Sequence, residues 1–498
     1  MATLTTLLEA ALLIALVGGW MVVFALTGFD RLMSYVSASA AAPATIAFIH
    51  SMFLVLGLPT APKATAAASI ILPIAAIVIV QRRSEASLST LTAAVSALGV
   101  PALLAVAVVS RLVRFERATP DTLLYLAHAR LLRNNTSLFL ESADLAERGL
   151  GVSSYHSLAS LFDNDLFAAM QLNIGVASCA VIFATSRYLI AWIHSGRVAT
   201  LAATVGTVFI AVTDRFVFSH QLVGQHGLVG LQLGATVMLA VSLHEVPERL
   251  RGVAIVGIAL IAASVATARP EGVLSVTYLL FLLSISGLIS LGDRSSDLRR
   301  LVVGLLVFTF PWAAVLWLQG DRGQAAGTLT ISCALLVANP LRRQLSRFDE
   351  SERTPRRRLV TRSLLAFYFA GLFGACLLDP GRDLGLLTRS IGAIVTNLMT
   401  SGGWGLTMIL IGLLIAVPDK YLNELLRLLK DALLGSAALL LGLAVVREGE
   451  YRVGPGDSFN RILFHYLPVA GIIVATTLAS LLGARTARQM TTGGSGTP

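Results

Sequence analysis

The feature that most limits what this chain can fold into is a series of apolar runs recurring along almost its whole length. A helix of roughly 17 to 25 apolar residues crosses a hydrocarbon core about 30 Å thick. About 15 such runs can be counted, give or take two. The clearest include 7–29, 88–110, 167–185, 253–267, 301–318 and 467–482, and the weaker ones are 46–58, 65–80 and 327–338. The composition agrees: 55% of the residues are hydrophobic and 13% are charged, against about 25% charged in soluble domains. The expected fold class is all-α, a polytopic integral membrane helical bundle of about 13–15 transmembrane helices. The first run lacks a basic start and a small-residue cleavage pattern, so it reads as a retained span rather than a signal peptide.

Charge sets the expected orientation. The segment "NPLRRQLSRFDESERTPRRRLVTR" carries eight arginines between two spans, and the positive-inside rule places it in the cytoplasm. Counting outward puts "QRRSEAS", "HEVPERLRG", "GDRSSDLRR" and "PDKYLNELLRLLKD" on the same side. The long loop 112–165 then faces outward, together with "DRFVFSHQLVGQHG", "ARPEG", "LDPGRDLG" and "REGEYRVGPGDSFNR". The net charge of +10 belongs mostly to loops that meet anionic lipid headgroups, so nucleic acid is not an expected partner. Cys179, Cys333 and Cys376 sit in apolar runs without ligand spacing and read as small core residues. No loop is long enough for a separate soluble domain. The expected division is 1–87, N-terminal helices; 88–292, a core with the outer loop; and 293–498, C-terminal helices with the arginine-rich loop 340–362.

The outer loop holds most of the chemistry. "TPDTLLYLAHARLLRNN" starts like a helix, with Thr119 as cap, Pro120 at the first helical position and Asp121 in the first turn. Asn134 and Asn135 are plausible terminators. At 3.6 residues per turn Asp121, Tyr125 and His128 share a face, and Arg130 and Arg133 point elsewhere. The competing structural reading is a helix-start acid with a tyrosine and a histidine at the membrane surface. Further on, "GVSSYHSLASLFDNDLF" places Tyr155 and His156 after a small-residue turn, and Asp163 and Asp165 in an Asp-x-Asp spacing. That spacing suits a divalent cation, Mg or Mn, and equally an ordinary helix cap.

An outer loop of this form, an acid followed by an aromatic or histidine, a helix, and a small-residue turn carrying Tyr-His, resembles that of the GT-C superfamily of membrane glycosyltransferases. "TARPEGVL" resembles the Arg-Pro-(Asp/Glu)-Gly element of actinobacterial members, and Asp214, Arg215 and His220 sit where that family has its second outer loop. The chain departs from the family in that about four spans precede Asp121 and no second acid stands beside it. The resemblance covers roughly residues 88–291. It implies a plasma-membrane enzyme that moves a hexosyl or pentosyl group from a polyprenyl-phosphate donor to a glycan, lipid or protein acceptor of the cell envelope. Asp121 would then orient or deprotonate the acceptor hydroxyl, and Arg269, Arg215 or His156 would hold the phosphate. Tyr125, His128, Tyr155, Asp214, His220 and Glu271 would line the substrate site. The bland alternative for Arg269 is an interfacial arginine paired with Glu271. His226 and Gln225 fit either substrate contact or loop polarity. Asp379, Arg382, Asp383 and Arg389 would border an acceptor site, and Gly454, Pro455 and Gly456 mark a turn over the same face. A lipid-linked glycan transporter, or a polymerase or ligase of another fold, stands as the alternative function.

Overall fold

The computed structural model describes all residues except 1, 84–87, 113–118, 222–223, 270, 287–294, 379–383, 405–406, 419–423, 447–462 and 493–498. The candidates Asp379, Arg382, Asp383, Gly454, Pro455 and Gly456 lie outside the described residues. Every regular element among the described residues is helical. The first stretch runs α1 (Ala2–Leu26), α2 (Arg31–Val55), α3 (Pro62–Gln81) and α4 (Leu88–Leu112). The outer loop forms α5 (Pro120–Asn134), α6 (Thr136–Ser142), α7 (Leu145–Arg148) and α8 (Gly151–Ser157). Next come α9 (Ala168–Ala191), α10 (Gly196–Ala211), α11 (Asp214–Gln221), α12 (Gln225–Ser242), α13 (Glu248–Ala268) and α14 (Gly272–Ser286). They are followed by α15 (Ser295–Leu318), α16 (Arg322–Ala334), α17 (Ala338–Leu345) and α18 (Glu350–Leu378). The last are α19 (Leu384–Thr396), α20 (Thr407–Ala416), α21 (Glu424–Val446) and α22 (Leu467–Thr492).

The chain is an all-α, multi-pass bundle: among the described residues nine helices are long and apolar enough to span, or ten if the bent pair α10 and α11 counts as one. That count covers the described residues alone and does not contradict the expected 13–15. Two shorter apolar stretches, Gly99–Arg111 in α4 and Gly272–Ile285 in α14, add to it. The ten residues of α20 rise only about 15 Å, half a hydrocarbon core. Helix α2 extends well beyond the run 46–58 because "SASAAAPATIA" is also helical and almost wholly buried. Small side chains let neighbouring backbones approach closely in a membrane bundle.

Two compact units emerge, Met1–Ser178 with Phe218–Arg353, and Cys179–Val217 with Thr354–Pro498. In the first, α2 packs against α1, α12, α13 and α15, and every residue of α12 is buried. A carboxylate inside α1 ties three helix ends together. Glu9 Oε1 accepts the Ala169 N–H at 2.8 Å at the start of α9, and its other oxygen pairs with Arg111 at the end of α4. At the opposite end Arg251 Nε lies 2.7 Å from Asp297 Oδ2, joining the starts of α13 and α15. In the second unit α10 packs on α22, where a Cβ on Gly206 would come within 2.7 Å of Ala475 Cβ. A π-helical turn, Asn397–Ser401, follows α19, and the helix breaks at Gly402 and Gly403.

Candidate functional site

The outer loop folds as a cap of four short helices, and its local signals act as the sequence suggests. Thr119 Oγ1 accepts the Thr122 N–H at 3.2 Å, with Pro120 and Asp121 in the first turn of α5. Asn135 ends α5 and starts α6 by accepting the Leu138 N–H at 2.9 Å, and Asp144 caps α7 through the Glu147 N–H at 3.0 Å. Each such cap satisfies a backbone donor that has no partner within its helix. Leu132, Phe139, Leu145 and Leu150 of the cap then bury their side chains against Leu54, Trp312 and Leu316. Hydrogen bonds fix its position: Gln319 Nε2 donates to the carbonyls of Leu140 (2.8 Å) and Ala143 (2.9 Å), and the Thr60 hydroxyl donates to the Leu132 carbonyl.

A tight junction lies where α7 meets the end of α13. Gly149 has φ +69° and ψ −179°, a conformation open essentially only to glycine. A Cβ there would stand 2.2 Å from the Ala268 carbonyl oxygen. The next residue, Leu150, donates its N–H to the Thr267 carbonyl at 2.7 Å. Gln225, fully buried at the start of α12, donates to the Arg148 carbonyl.

This junction brings acids and arginines of distant sequence together. Arg148 Nη1 lies 2.6 Å from Asp121 Oδ1, with side chains 24% and 31% exposed. Arg269, only 7% exposed, pairs through Nε with Glu271 Oε1 at 2.9 Å and reaches the Glu147 carbonyl through Nη1 at 3.4 Å. Burial alone would lower the affinity of both guanidiniums for their protons. Asp121 for Arg148 and Glu271 for Arg269, with Tyr125 and Glu147 adding in both cases, more than offset it, so both are held above the usual arginine value. The structure therefore gathers Asp121, Arg269 and Glu271 into one cluster with Arg148, Glu147 and Gln225. Arg148 carried no expectation from the sequence. Its only local signal is its place as the last residue of a short polar helix before a glycine.

Tyr125 and His128 are 3% and 4% exposed on the packed face of α5, yet they border this cluster: Tyr125 lies near both Arg148 and Arg269, and His128 near Arg148. Ser153 Oγ donates to the Tyr125 carbonyl at 3.2 Å, and the His128 ring stands edge-on to Phe139 at 6.0 Å. Burial and the nearby Arg148 charge push His128 below its usual value. Other expected residues are brought to different places. Tyr155 and His156 are fully buried. The Tyr155 hydroxyl donates to Gln171 Oε1, and His156 Nδ1 accepts the Phe167 N–H at 3.1 Å, which leaves the ring proton on Nε2. Burial pushes the His156 pKa down to about 3 and raises that of Tyr155. These two side chains fasten α8 to the start of α9, and His156 is too enclosed to hold a phosphate. His220 Nε2 lies 3.0 Å from Ser178 Oγ, with its ring against Gly175 and Gly227. His226 is buried at the start of α12.

Asp214 and Arg215 belong to the second unit. There Asp214 is exposed, and Arg215 is 1% exposed with its guanidinium 5.8 Å from the centre of the Trp404 ring. Asp163 and Asp165 do not form a cation site. Asp165 accepts from Arg130 Nε at 2.9 Å and Arg133 Nη2 at 3.0 Å. The Arg130 hydrogen bonds hold its carboxyl below the usual range, and Arg133 adds to the effect. Asp163 ends the turn before it with φ 53°. Among the described residues no group of three or more His, Cys, Asp or Glu could hold a metal ion, so the Mg or Mn reading does not fit these side chains. The two arginines left without a role by helix geometry are the ones that occupy Asp165. Compared with models of known protein families, with curated proteins and with solved structures, the chain matches none.

Proposed function

We propose that the chain is a membrane glycosyltransferase that takes a sugar from a polyprenyl-phosphate donor to a cell-envelope acceptor, with Asp121 at the reacting centre. The observation that carries this reading is the Asp121–Arg148 pair. With Glu147 it is the solvent-reached part of a cluster whose Arg269, Glu271 and Gln225 side chains are enclosed, and it lies at the end of the bundle that the charge pattern assigns to the outside. In the reaction the acceptor hydroxyl oxygen bonds to the anomeric carbon as the bond from that carbon to the phosphate oxygen breaks. The electron pair leaves with the polyprenyl phosphate. The hydroxyl proton is drawn toward the Asp121 carboxylate, which Arg148 holds in place. Arg269 is committed to Glu271 and to a backbone carbonyl, so its part is to position the cluster rather than to grip phosphate.

Asp121→Asn tests this in proteoliposomes supplied with a panel of radiolabelled polyprenyl-phosphate sugars and an envelope fraction as acceptor. Transfer by the unaltered chain and a fall of about 10²–10⁴-fold in the variant are expected; full retention of transfer by the variant sinks the role of Asp121. A second reading, a lipid-linked glycan transporter, is favoured by the 71° bend between α10 and α11, since broken spans mark transport sites. Flipping of the lipid-linked sugar without transfer would select it.

A further inference from the structure

Outside the outer cluster, basic residues gather along the part of α18 that belongs to the second unit, from Thr354 on, and near the start of α21. α18 has two distinct faces there. On one, Arg357 and Thr361 are buried, and the Tyr368 hydroxyl donates to the Leu439 carbonyl of α21 at 3.0 Å. Arg358, on the flank of that face, lies 3.3 Å from Asp431 of α21. On the opposite face, Arg356, Leu359, Arg362, Phe367 and Phe373 fall within about 140° of arc at 3.6 residues per turn. All five are exposed, Leu359 to 66% and Phe367 to 81%.

This outward stripe changes character along the helix. Arg356 and Arg362 are about 9 Å apart along the axis, Phe367 lies about 7 Å beyond Arg362, and Phe373 about 16 Å beyond it, at 1.5 Å per residue. Two guanidiniums followed by aromatic rings match a lipid phosphate followed by its acyl chains, and the planar fork of arginine suits phosphate oxygens. Charge names the occupant. The described charged side chains at these two helix starts are Arg353, Arg356, Arg357, Arg358, Arg362, Arg427 and Lys430 against the acids Glu352 and Asp431. We propose that this face binds an anionic phospholipid of the cytoplasmic leaflet, with its phosphate on Arg356 and Arg362 and its chains along Phe367 and Phe373. Nothing in this assignment depends on the proposed sugar transfer; it requires only that the chain cross a membrane with its arginine-rich end inside.

The test titrates the full chain, in neutral detergent, with short-chain phosphatidylglycerol, using short-chain phosphatidylcholine as the zwitterionic comparator. The unaltered chain should prefer the glycerol lipid. A basic residue at a membrane surface is worth about fivefold in affinity, so Arg356→Gln with Arg362→Gln should cut that preference roughly twenty- to thirty-fold. The double change to lysine should retain most of it, which separates charge loss from misfolding. Raising salt should bring the unaltered chain toward the glutamine variant. An equal preference in the unaltered and glutamine chains, or none in the unaltered chain at any salt, overturns the assignment.

Discussion

Gly149→Ala is the substitution whose effect the structure specifies most fully. The added Cβ would meet the Ala268 carbonyl oxygen at 2.2 Å and the Thr267 carbonyl oxygen at 2.6 Å. Both belong to the end of a buried helix rather than to a side chain that can swing away. Backbone strain in this region costs about 1–3 kcal/mol for a residue with a Cβ. Relief by separating the two segments stretches the Leu150 N–H to Thr267 carbonyl bond, now 2.7 Å, worth about 0.5–1.5 kcal/mol net. The sum is about 2–4 kcal/mol, a large share of the 5–15 kcal/mol that typically separates folded from unfolded chains. Gly57→Ala is the matched control, since Gly57 also has positive φ, +65°, but nothing lies within 4 Å of its added Cβ. It should lose only the strain of a left-handed residue, about 1–2 kcal/mol. Denaturant unfolding in detergent, followed by tryptophan fluorescence, reads both, because Trp312 is packed against the cap. Equal losses in the two variants would refute the claim that close approach to α13 fixes this turn.

Arg148→Gln removes the partner of Asp121 from a pair that is a quarter to a third exposed. Thermal unfolding should therefore record a loss under about 1 kcal/mol, while sugar transfer in the proteoliposome assay falls far more steeply. Acidification should expose His156. Its folded pKa is about 3, and an unfolded histidine titrates near about 6.5, so between those values the unfolded chain binds the extra proton. Its contribution to stability is complete above the unfolded value and falls by about 1.4 kcal/mol per pH unit below it. His156→Asn, whose side-chain oxygen can accept the Phe167 N–H in place of Nδ1, should flatten that slope in denaturation curves measured from pH 7 to pH 5. An unchanged slope would mean that other groups govern the acid response.

The helix capping of the outer loop was legible in order because capping is local. Thr119, Pro120, Asp121 and Asn135 each act within a few residues of their own position, and all occupy the expected ends of α5 and α6. The partner of Asp121 was not legible, because Arg148 is 27 positions away and reaches it only after α6 and α7 have turned the chain back. Helical periodicity placed Asp121, Tyr125 and His128 on one side of α5. It could not say that this side is covered by α8, which buries the phenol and the imidazole beside the Arg148 charge. The bounds of α2 were missed for a related reason. Hydropathy reaches only the run 46–58, because the alanines and serines before it are buried by neighbours without being strongly apolar.

By itself, the sequence determined that the chain is helical and crosses a membrane many times, because backbone groups in hydrocarbon must bond within their own segment. Its arginines proposed an orientation, and its turn and cap residues set where the outer helices begin and end. Tertiary structure alone decided which charges meet. It paired Asp121 with Arg148, Arg269 with Glu271, and Asp165 with Arg130 and Arg133. The physical reason is that ion pairing in an enclosed site depends on distance and burial, which are properties of how helices pack and leave no local mark in the order of residues.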